Sequence, residues 1–306
     1  MVAASPAASR LAEISDGASR ALIYPEQGFQ LHGFATPVAD RMGGAPVDVI
    51  FAPPGGREPA DRRYGNPILF PAVGVTHNLE EARWGWRGRQ LPMQQHGWAR
   101  DAYWHVEARD TRSITGLLIP STGMKTSFPF SFELRVRYEL EAGALVLSAE
   151  LVNVGDETFP YALGFHPYLL APIGSPAGRD KCRVRLPSGV RLLGAGSWTR
   201  VTRSASPSRT VSATDPELPG SIVLADTGAQ ALEMEDETAG IATRVSVEGS
   251  ETSFPIWVVW TAGPDAPYVC LEPWTDAPNA LNRAATRTLS PGGRHRYRMT
   301  ISVRPL

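Results

Sequence analysis

Cysteine is scarce in this chain: its 306 residues include two, Cys182 and Cys270, far apart and outside any CxxC pair. That argues against a zinc ribbon, a thioredoxin-type centre and a disulfide scaffold, and makes a reducing cytoplasm the expected location. An excess of charge of one sign is also missing. With 30 Lys+Arg against 31 Asp+Glu there is no broad electrostatic footprint for nucleic acid or an anionic membrane, and neither is expected as a partner. No apolar run approaches the roughly 18 to 20 residues of a membrane helix. The stretch from Met1 to Arg10 is rich in small residues but lacks a basic region followed by an apolar one, so it makes a poor secretory signal. Residues 1–15 are expected to be a flexible tail and residues 16–306 one domain. No GxxxxGK[ST] loop is present, and Gly194-Ala195-Gly196 lacks the further glycine and the strand-to-helix setting of a dinucleotide site, so no nucleotide cofactor is expected. A sustained 3.6-residue apolar period is absent as well. The 29 Gly and 27 Pro interrupt helical patterns before they reach a usual length, leaving at most a few short helices.

What is there is alternation. Phe130, Phe132, Leu134, Val136, Tyr138 and Leu140 alternate with Ser131, Glu133, Arg135, Arg137 and Glu139, the period of a strand with one wet and one buried face. After the turn signal Glu141-Ala142-Gly143-Ala144 the alternation resumes to Asn153, which predicts a long antiparallel hairpin over Phe128 to Asn153. Shorter strand signals recur at Ala21 to Tyr24, Val47 to Phe51, Trp104 to Ala108, Ser113 to Ile119, Arg183 to Leu186, Ile222 to Leu224, Thr243 to Val247, Ile256 to Trp260, Tyr268 to Leu271 and Tyr297 to Val303. Strand following strand without intervening helices predicts an all-β antiparallel sandwich or barrel. The Ser-, Thr-, Arg- and Pro-rich stretch Gly194 to Gly220 reads as a surface loop.

Three segments each hold one polar side chain in aromatic, Gly- or Pro-marked surroundings: Gln94-Gln95-His96-Gly97-Trp98-Ala99-Arg100, Gly164-Phe165-His166-Pro167-Tyr168 and Leu271-Glu272-Pro273-Trp274-Thr275. Two imidazoles and a carboxylate suffice to move protons both ways near neutral pH. An extended chain would turn His96, Trp98 and Arg100 to one side, grouping a proton carrier, an aromatic wall and a cation. Pro167 biases His166 towards an extended backbone. Glu272 ends an apolar run, where a carboxylate is costly unless paired or used, and desolvation would raise its pKa. The competing readings are a strand-edge His96, a structural His166 bonded to a carbonyl, and a Glu272 buried in a salt bridge with an arginine such as Arg100. His32, His77, His105 and His295 lack comparable settings. A zinc site from His96, His105 and His166 fits neither HExxH nor a finger spacing, so no metal is expected. Trp84, Trp86, Trp98 and Trp274 lie in or near these segments and would suit the C–H faces of sugars, core packing being the alternative.

At these residues the chain resembles the aldose 1-epimerase (mutarotase) family, in particular its divergent bacterial branch. The resemblance runs in order through Asn66-Pro67-Ile68-Leu69-Phe70-Pro71-Ala72-Val73-Gly74, Trp84-Gly85-Trp86 with Leu91-Pro92, His96-Gly97-Trp98-Ala99-Arg100, Gly164-Phe165-His166-Pro167-Tyr168 and Cys270-Leu271-Glu272-Pro273-Trp274-Thr275, continuing to Asn282, and it spans about Ala21 to Val303. It implies a large antiparallel β-sandwich, a small sugar as partner, no cofactor, and interconversion of aldose anomers. By the same resemblance Glu272 is the general base on the anomeric hydroxyl, His166 the acid at the ring oxygen, and His96 a hydrogen-bonding polariser. Arg100, Trp98, Asn78, Trp274 and Asp226 are the expected sugar contacts, and a monomer or weak homodimer the expected state. Two departures concern the substrate. Val75 follows Gly74 where many members carry an arginine, for which Arg100 is the candidate replacement, and the aspartate that grips sugar hydroxyls in many members has only Asp215 and Asp226 as candidates here. The alternatives are a hexose-6-phosphate epimerase, with Arg62, Arg63, Arg83, Arg87 and Arg89 on one rim, and a non-catalytic sugar-binding or sensing protein.

Overall fold

Residues 11–38, 44–53, 63–78, 81–174, 177–195, 197–248 and 254–306 are described by a computed structural model. The expected hairpin is its clearest element. Phe132–Glu141 pairs with Ala144–Asn153 from Phe132↔Asn153 to Glu141↔Ala144. The chain reverses through Ala142 and Gly143, both at positive φ (47° and 81°), as a two-residue hairpin turn requires. Phe132, Leu134, Val136, Tyr138 and Leu140 are all buried, so the sequence alternation is the inside and outside of one sheet. Phe128 and Phe130 precede the strand and pack into the core instead of pairing.

That hairpin sits in a nine-stranded antiparallel sheet, whose order is Arg209–Ser212, Cys182–Leu186, Ala231–Asp236, Ile241–Glu248, Arg294–Pro305, Ala144–Asn153, Phe132–Glu141, Ser113–Leu118 and His105–Arg109. Facing it is an eight-stranded antiparallel sheet that includes, in order, Arg200–Ser206, Gly189–Ala195, Ile222–Ala225, Ile256–Trp260, Tyr268–Trp274, Gly164–Phe165 and Ile68–Leu69, with Tyr168–Leu170 also pairing on Tyr268–Trp274. A four-stranded sheet, Ala12–Ser15 to Val47–Asp48, completes the N-terminal part. Among the described residues the one α-helix is Thr122–Lys125. No helix of the described residues is long and apolar enough to cross a membrane. The fold is therefore the large antiparallel β-sandwich that the strand pattern and the resemblance implied.

Two expectations fail. Ala12–Ser15 is a strand paired with Arg20–Tyr24, so the flexible tail expected over residues 1–15 does not hold for Ala12 to Ser15, and residues 1–10 lie outside the described residues. The Gly194–Gly220 stretch is not a loop: Gly189–Ala195 pairs with Arg200–Ser206, and Arg209–Ser212 pairs with Cys182–Leu186. Arg200–Ser206 is an edge strand wetted on both faces, so it needs no apolar alternation and leaves none in the sequence.

The eight-stranded sheet is covered on both faces. Trp257, Val259, Val269 and Leu271 point to the inter-sheet core, while Val258 and Trp274 belong to a separate apolar cluster on the opposite face. This is why Tyr268–Trp274 is buried throughout and reads as a continuous apolar run rather than as alternation. Glu272 lies opposite Val258 in register and therefore on the face away from the inter-sheet core.

Candidate active site

On that face lies a cavity of about 440 Å³ whose walls include His96, His166, Glu272, Trp274, Tyr168, Trp260, Trp198, Gln95, Arg63 and Arg100. A hollow of about 510 Å³ on the nine-stranded sheet is lined by surface groups such as Arg135, Arg137, Glu150 and Arg298, and contains none of the three candidate residues.

Each of the three comes from a different element. Glu272 is fixed in the middle of a buried strand. His166 follows the short strand Gly164–Phe165, where its backbone N–H donates to the buried Asn66 Oδ1 at 3.0 Å. Its ring stacks on Tyr168, 4.7 Å between centroids and 14° between planes, and meets Trp260 edge-on at 5.8 Å. His96 occupies a turn. Its N–H donates to Gly74 O at 2.8 Å, and the Gly74 N–H donates back to His96 Nδ1 at 3.1 Å. Because Nδ1 accepts, the neutral ring carries its proton on Nε2, next to the Gln95 side chain at 3.4 Å. The His96 and His166 rings meet edge to face at 5.5 Å.

The turn at His96 explains which expected sugar contacts fail. His96 and Gly97 both have φ of 66°, so the segment is not extended and His96, Trp98 and Arg100 do not share a side. Only glycine fits at 97, since a Cβ there would stand 2.1 Å from Phe70 O. Trp98 turns away and packs on Phe128 at 5.7 Å. Arg100 still reaches the cavity wall, where its Nη2 donates to Gln95 O at 3.0 Å. It does not pair with Glu272, whose titratable neighbour is His166.

Asn78 is outside the cavity walls, its side chain donating to Gln90 Oε1. Asp226 is exposed at the far end of Ile222–Ala225 and pairs with Arg203. Asp215 accepts from the Glu217 N–H in a surface turn. Neither aspartate is placed to grip a ligand here. Trp84 and Trp86 also belong to the core side, with Trp84 Nε1 donating to Ser127 O and Trp86 set against Phe130. The aromatic walls are instead Trp274, which was expected, and Trp198, Trp260 and Tyr168, which were not assigned as sugar contacts. Trp260 had a legible signal, being two residues from Val258 on a strand already recognised. Trp198 had none, since it lies in a turn between strands that read as a loop.

The continuation Asp276 to Asn282 acts as a brace. The Asn279 N–H donates to Val75 O, Asn279 Oδ1 accepts from the His77 N–H, and Asn282 Nδ2 donates to His77 O, Arg83 O and Asn279 Oδ1. The chain following the Glu272 strand thus holds the 74–77 segment, and Gly74 in turn holds His96. His96 and the Glu272 strand are thereby linked through hydrogen bonds of the backbone and of the Asn279 and Asn282 amides.

Burial dominates the electrostatics. It pushes the Glu272 carboxyl well above the usual carboxylate range, offset in part by the nearby Trp274 indole N–H. It pulls His166 down to about 3 and His96 well below its ordinary value, the latter reinforced by His166 and Arg100. His166 Nε2 stands 3.3 Å from Glu272 Oε2. With both groups driven to their neutral forms, this is a contact between a carboxyl and an imidazole, not an ion pair. Glu272 Oε2, His166 Nδ1 and Trp274 Nε1 are all buried without a hydrogen-bond partner. Buried polar atoms are rarely left so, and a ligand rich in hydroxyls would supply partners. His166, Cys270 and Glu272 also form a grouping able to hold a metal ion.

Comparison with known proteins agrees with this architecture. The structure superposes on a protein of Synechocystis sp. PCC 6803 with a TM-score of 0.79 at 22% identity, covering 99% of this chain and 98% of that one. It superposes on a galactose mutarotase related enzyme of Lactobacillus acidophilus with a TM-score of 0.78 at 23% identity, covering 96% and 97%. These likenesses define the fold class as galactose mutarotase-like. Residues 59–302 match the profile of the aldose 1-epimerase family, and the chain belongs to that family. Protein LacX of Lactococcus lactis subsp. lactis is 31% identical over 124 residues, a match that spans 37% of this chain and 40% of LacX.

Proposed function

We propose that the cavity interconverts the α and β anomers of a free aldose by acid–base opening and closing of the hemiacetal ring. The observation that carries this reading is the convergence of one carboxyl and two imidazoles on a single wall, with unpartnered buried polar atoms among them. Ring opening needs the anomeric O–H proton removed while the ring oxygen gains one. Glu272 takes the first role and His166 the second. Burial, which raises the Glu272 pKa and lowers that of His166, favours the proton on the carboxyl. Sugar hydroxyls that hydrogen-bond the carboxylate favour its charged form, and transfer to His166 then readies the pair. His96 donates from Nε2 to the developing carbonyl oxygen. Rotation about C1–C2 and reversal of the transfers close the ring on the other face, with no net proton change.

The test is two-dimensional NMR exchange, or polarimetry, on freshly dissolved hexoses and pentoses. Acceleration of exchange above the spontaneous rate for at least one sugar is expected. A panel including hexose 6-phosphates in which no sugar is accelerated refutes the reading.

One feature favours a phosphorylated sugar as the second reading. Of the arginines considered for an anion rim, Arg63 lines the cavity together with Arg100, close enough for the two charges to lower the Arg100 pKa, although burial is the larger cause. Arg83 and Arg87 instead pair with Glu81 and Glu157, Arg89 is not part of the cavity wall, and Arg62 lies outside the described residues. Competition between a neutral hexose and its 6-phosphate decides between the two.

A further inference from the structure

We propose that His166, Cys270 and Glu272 form a binding site for a borderline-soft divalent cation of the Zn2+ type, and that this ion competes with sugar for the same cavity wall. The acid–base reading makes no use of Cys270, yet strand register places its sulfur beside the reacting groups. Cys270 and Glu272 are two residues apart on one strand and share a face. The rung partners of Cys270, Trp260 and Tyr168, both line the cavity. One ligand atom from each of His166, Cys270 and Glu272 lies within 4.8 Å of the other two.

Tetrahedral zinc, with bonds of about 2.0 to 2.3 Å, separates its ligands by about 3.3 to 3.8 Å. The His166–Glu272 pair already stands at 3.3 Å, and the sulfur needs to move by no more than about an ångström or two. Glu272 Oε2 is buried without a hydrogen-bond partner, and a cation would provide one. A set of one nitrogen, one sulfur and one carboxylate oxygen suits Zn2+ and disfavours Mg2+ and Ca2+, which take oxygen ligands. Thiolate and carboxylate together cancel the charge of a dication, as a dry interior demands. Binding sends the thiol proton, and any proton on the carboxyl, to solvent, and no electrons move. Water completes the tetrahedron from the cavity side, which His166 and Glu272 line, so a sugar held on that wall and the ion exclude one another. Spacing along the chain does not reveal this set, because His166 and the Cys270-x-Glu272 pair meet only through strand pairing.

Binding stands on geometry alone, whereas inhibition of anomer exchange rests on the proposed function. The experiment titrates the full-length protein anaerobically with Co2+ chloride and follows its absorption. A thiolate-to-cobalt charge-transfer band with intense visible bands of tetrahedral cobalt is expected, saturating at one equivalent and displaced by Zn2+. Cys270→Ser and Cys270→Ala should each abolish the charge-transfer band, Cys182→Ser should leave it, and Glu272→Gln should weaken binding by more than about tenfold. An accelerated sugar should compete with the metal. Absence of the band, its persistence in both folded Cys270 variants, or indifference to such a sugar overturns the proposal. The band reports on the site whether or not anomers exchange. A protein that shows the band but accelerates no sugar refutes the functional reading alone.

Discussion

Replacing Glu272 with Gln separates the chemistry of the site from its architecture. The side chain is 1% exposed, lies opposite Val258 in the sheet and stands 3.3 Å from His166. Gln keeps the shape and is neutral, and burial already drives Glu272 towards its neutral form. Stability should therefore change by no more than about 1 kcal/mol. The amide cannot accept the anomeric proton, however. General-base assistance is worth about 10² to 10⁴ in rate, or roughly 3 to 5.5 kcal/mol of barrier, and the loss should fall on kcat with KM within about threefold of the original. NMR exchange on an accelerated aldose, with spontaneous mutarotation subtracted and a thermal melt alongside, measures both. A folded Glu272→Gln protein that retains a third or more of the catalysed rate would falsify the role of the carboxylate.

Gly97→Ala should destabilise the fold by about 3 kcal/mol or more, because the new Cβ meets Phe70 O at 2.1 Å and Pro71 N at 2.6 Å; a thermal melt indistinguishable from the parent refutes this. Arg179 is a buried cation that donates to the carbonyls of Ala171, Ala213, Pro264 and Tyr268 and to Thr261 Oγ1, tying down the start of the Glu272 strand. Arg179→Met strands these acceptors and should cost about 3 kcal/mol or more in denaturant unfolding, with Arg179→Lys recovering part of it. Arg63→Gln and Arg100→Gln should lower kcat/KM more for a hexose 6-phosphate than for the neutral hexose if the cavity takes a phosphosugar, and equal effects on both sugars remove that reading. Trp198→Ala should raise KM with little change in kcat, since a flat wall binds ground and transition states alike; a fall confined to kcat contradicts it.

The parts of the fold legible in the sequence are those where one face of a strand is wet and the other dry. The Phe132–Glu141 strand carries that contrast along its whole length and is followed by a two-residue turn containing Gly143. Arg200–Ser206 lies at a sheet edge exposed on both sides and carries no contrast, so it read as a loop. Tyr268–Trp274 is buried throughout, of which Tyr268 to Leu271 reads as an apolar run, but its two faces lead to different places, and one of them is the cavity. His96, His166 and Glu272 stood out because a polar group embedded in apolar and aromatic sequence must be partnered or used. Trp98, Asn78 and Asp226 were misassigned for specific reasons. Two consecutive left-handed residues turn Trp98 away, Asn78 belongs to the Gln90 hairpin, and Asp226 sits at the outer end of a strand whose other end approaches the cavity.

By itself the sequence determined that the chain is built of strands and that His96, His166 and Glu272 are polar groups set apart in apolar and aromatic surroundings, because alternation and local polarity are properties of neighbours along the chain. The tertiary structure decided which of the flagged residues meet. It closed the cavity with Trp198, Trp260, Tyr168 and Arg63, and it brought Cys270 beside His166 and Glu272. Those outcomes depend on strand register and on backbone hydrogen bonds between segments distant in sequence, such as Gly74 with His96 and Asn279 with Val75, which no local pattern encodes.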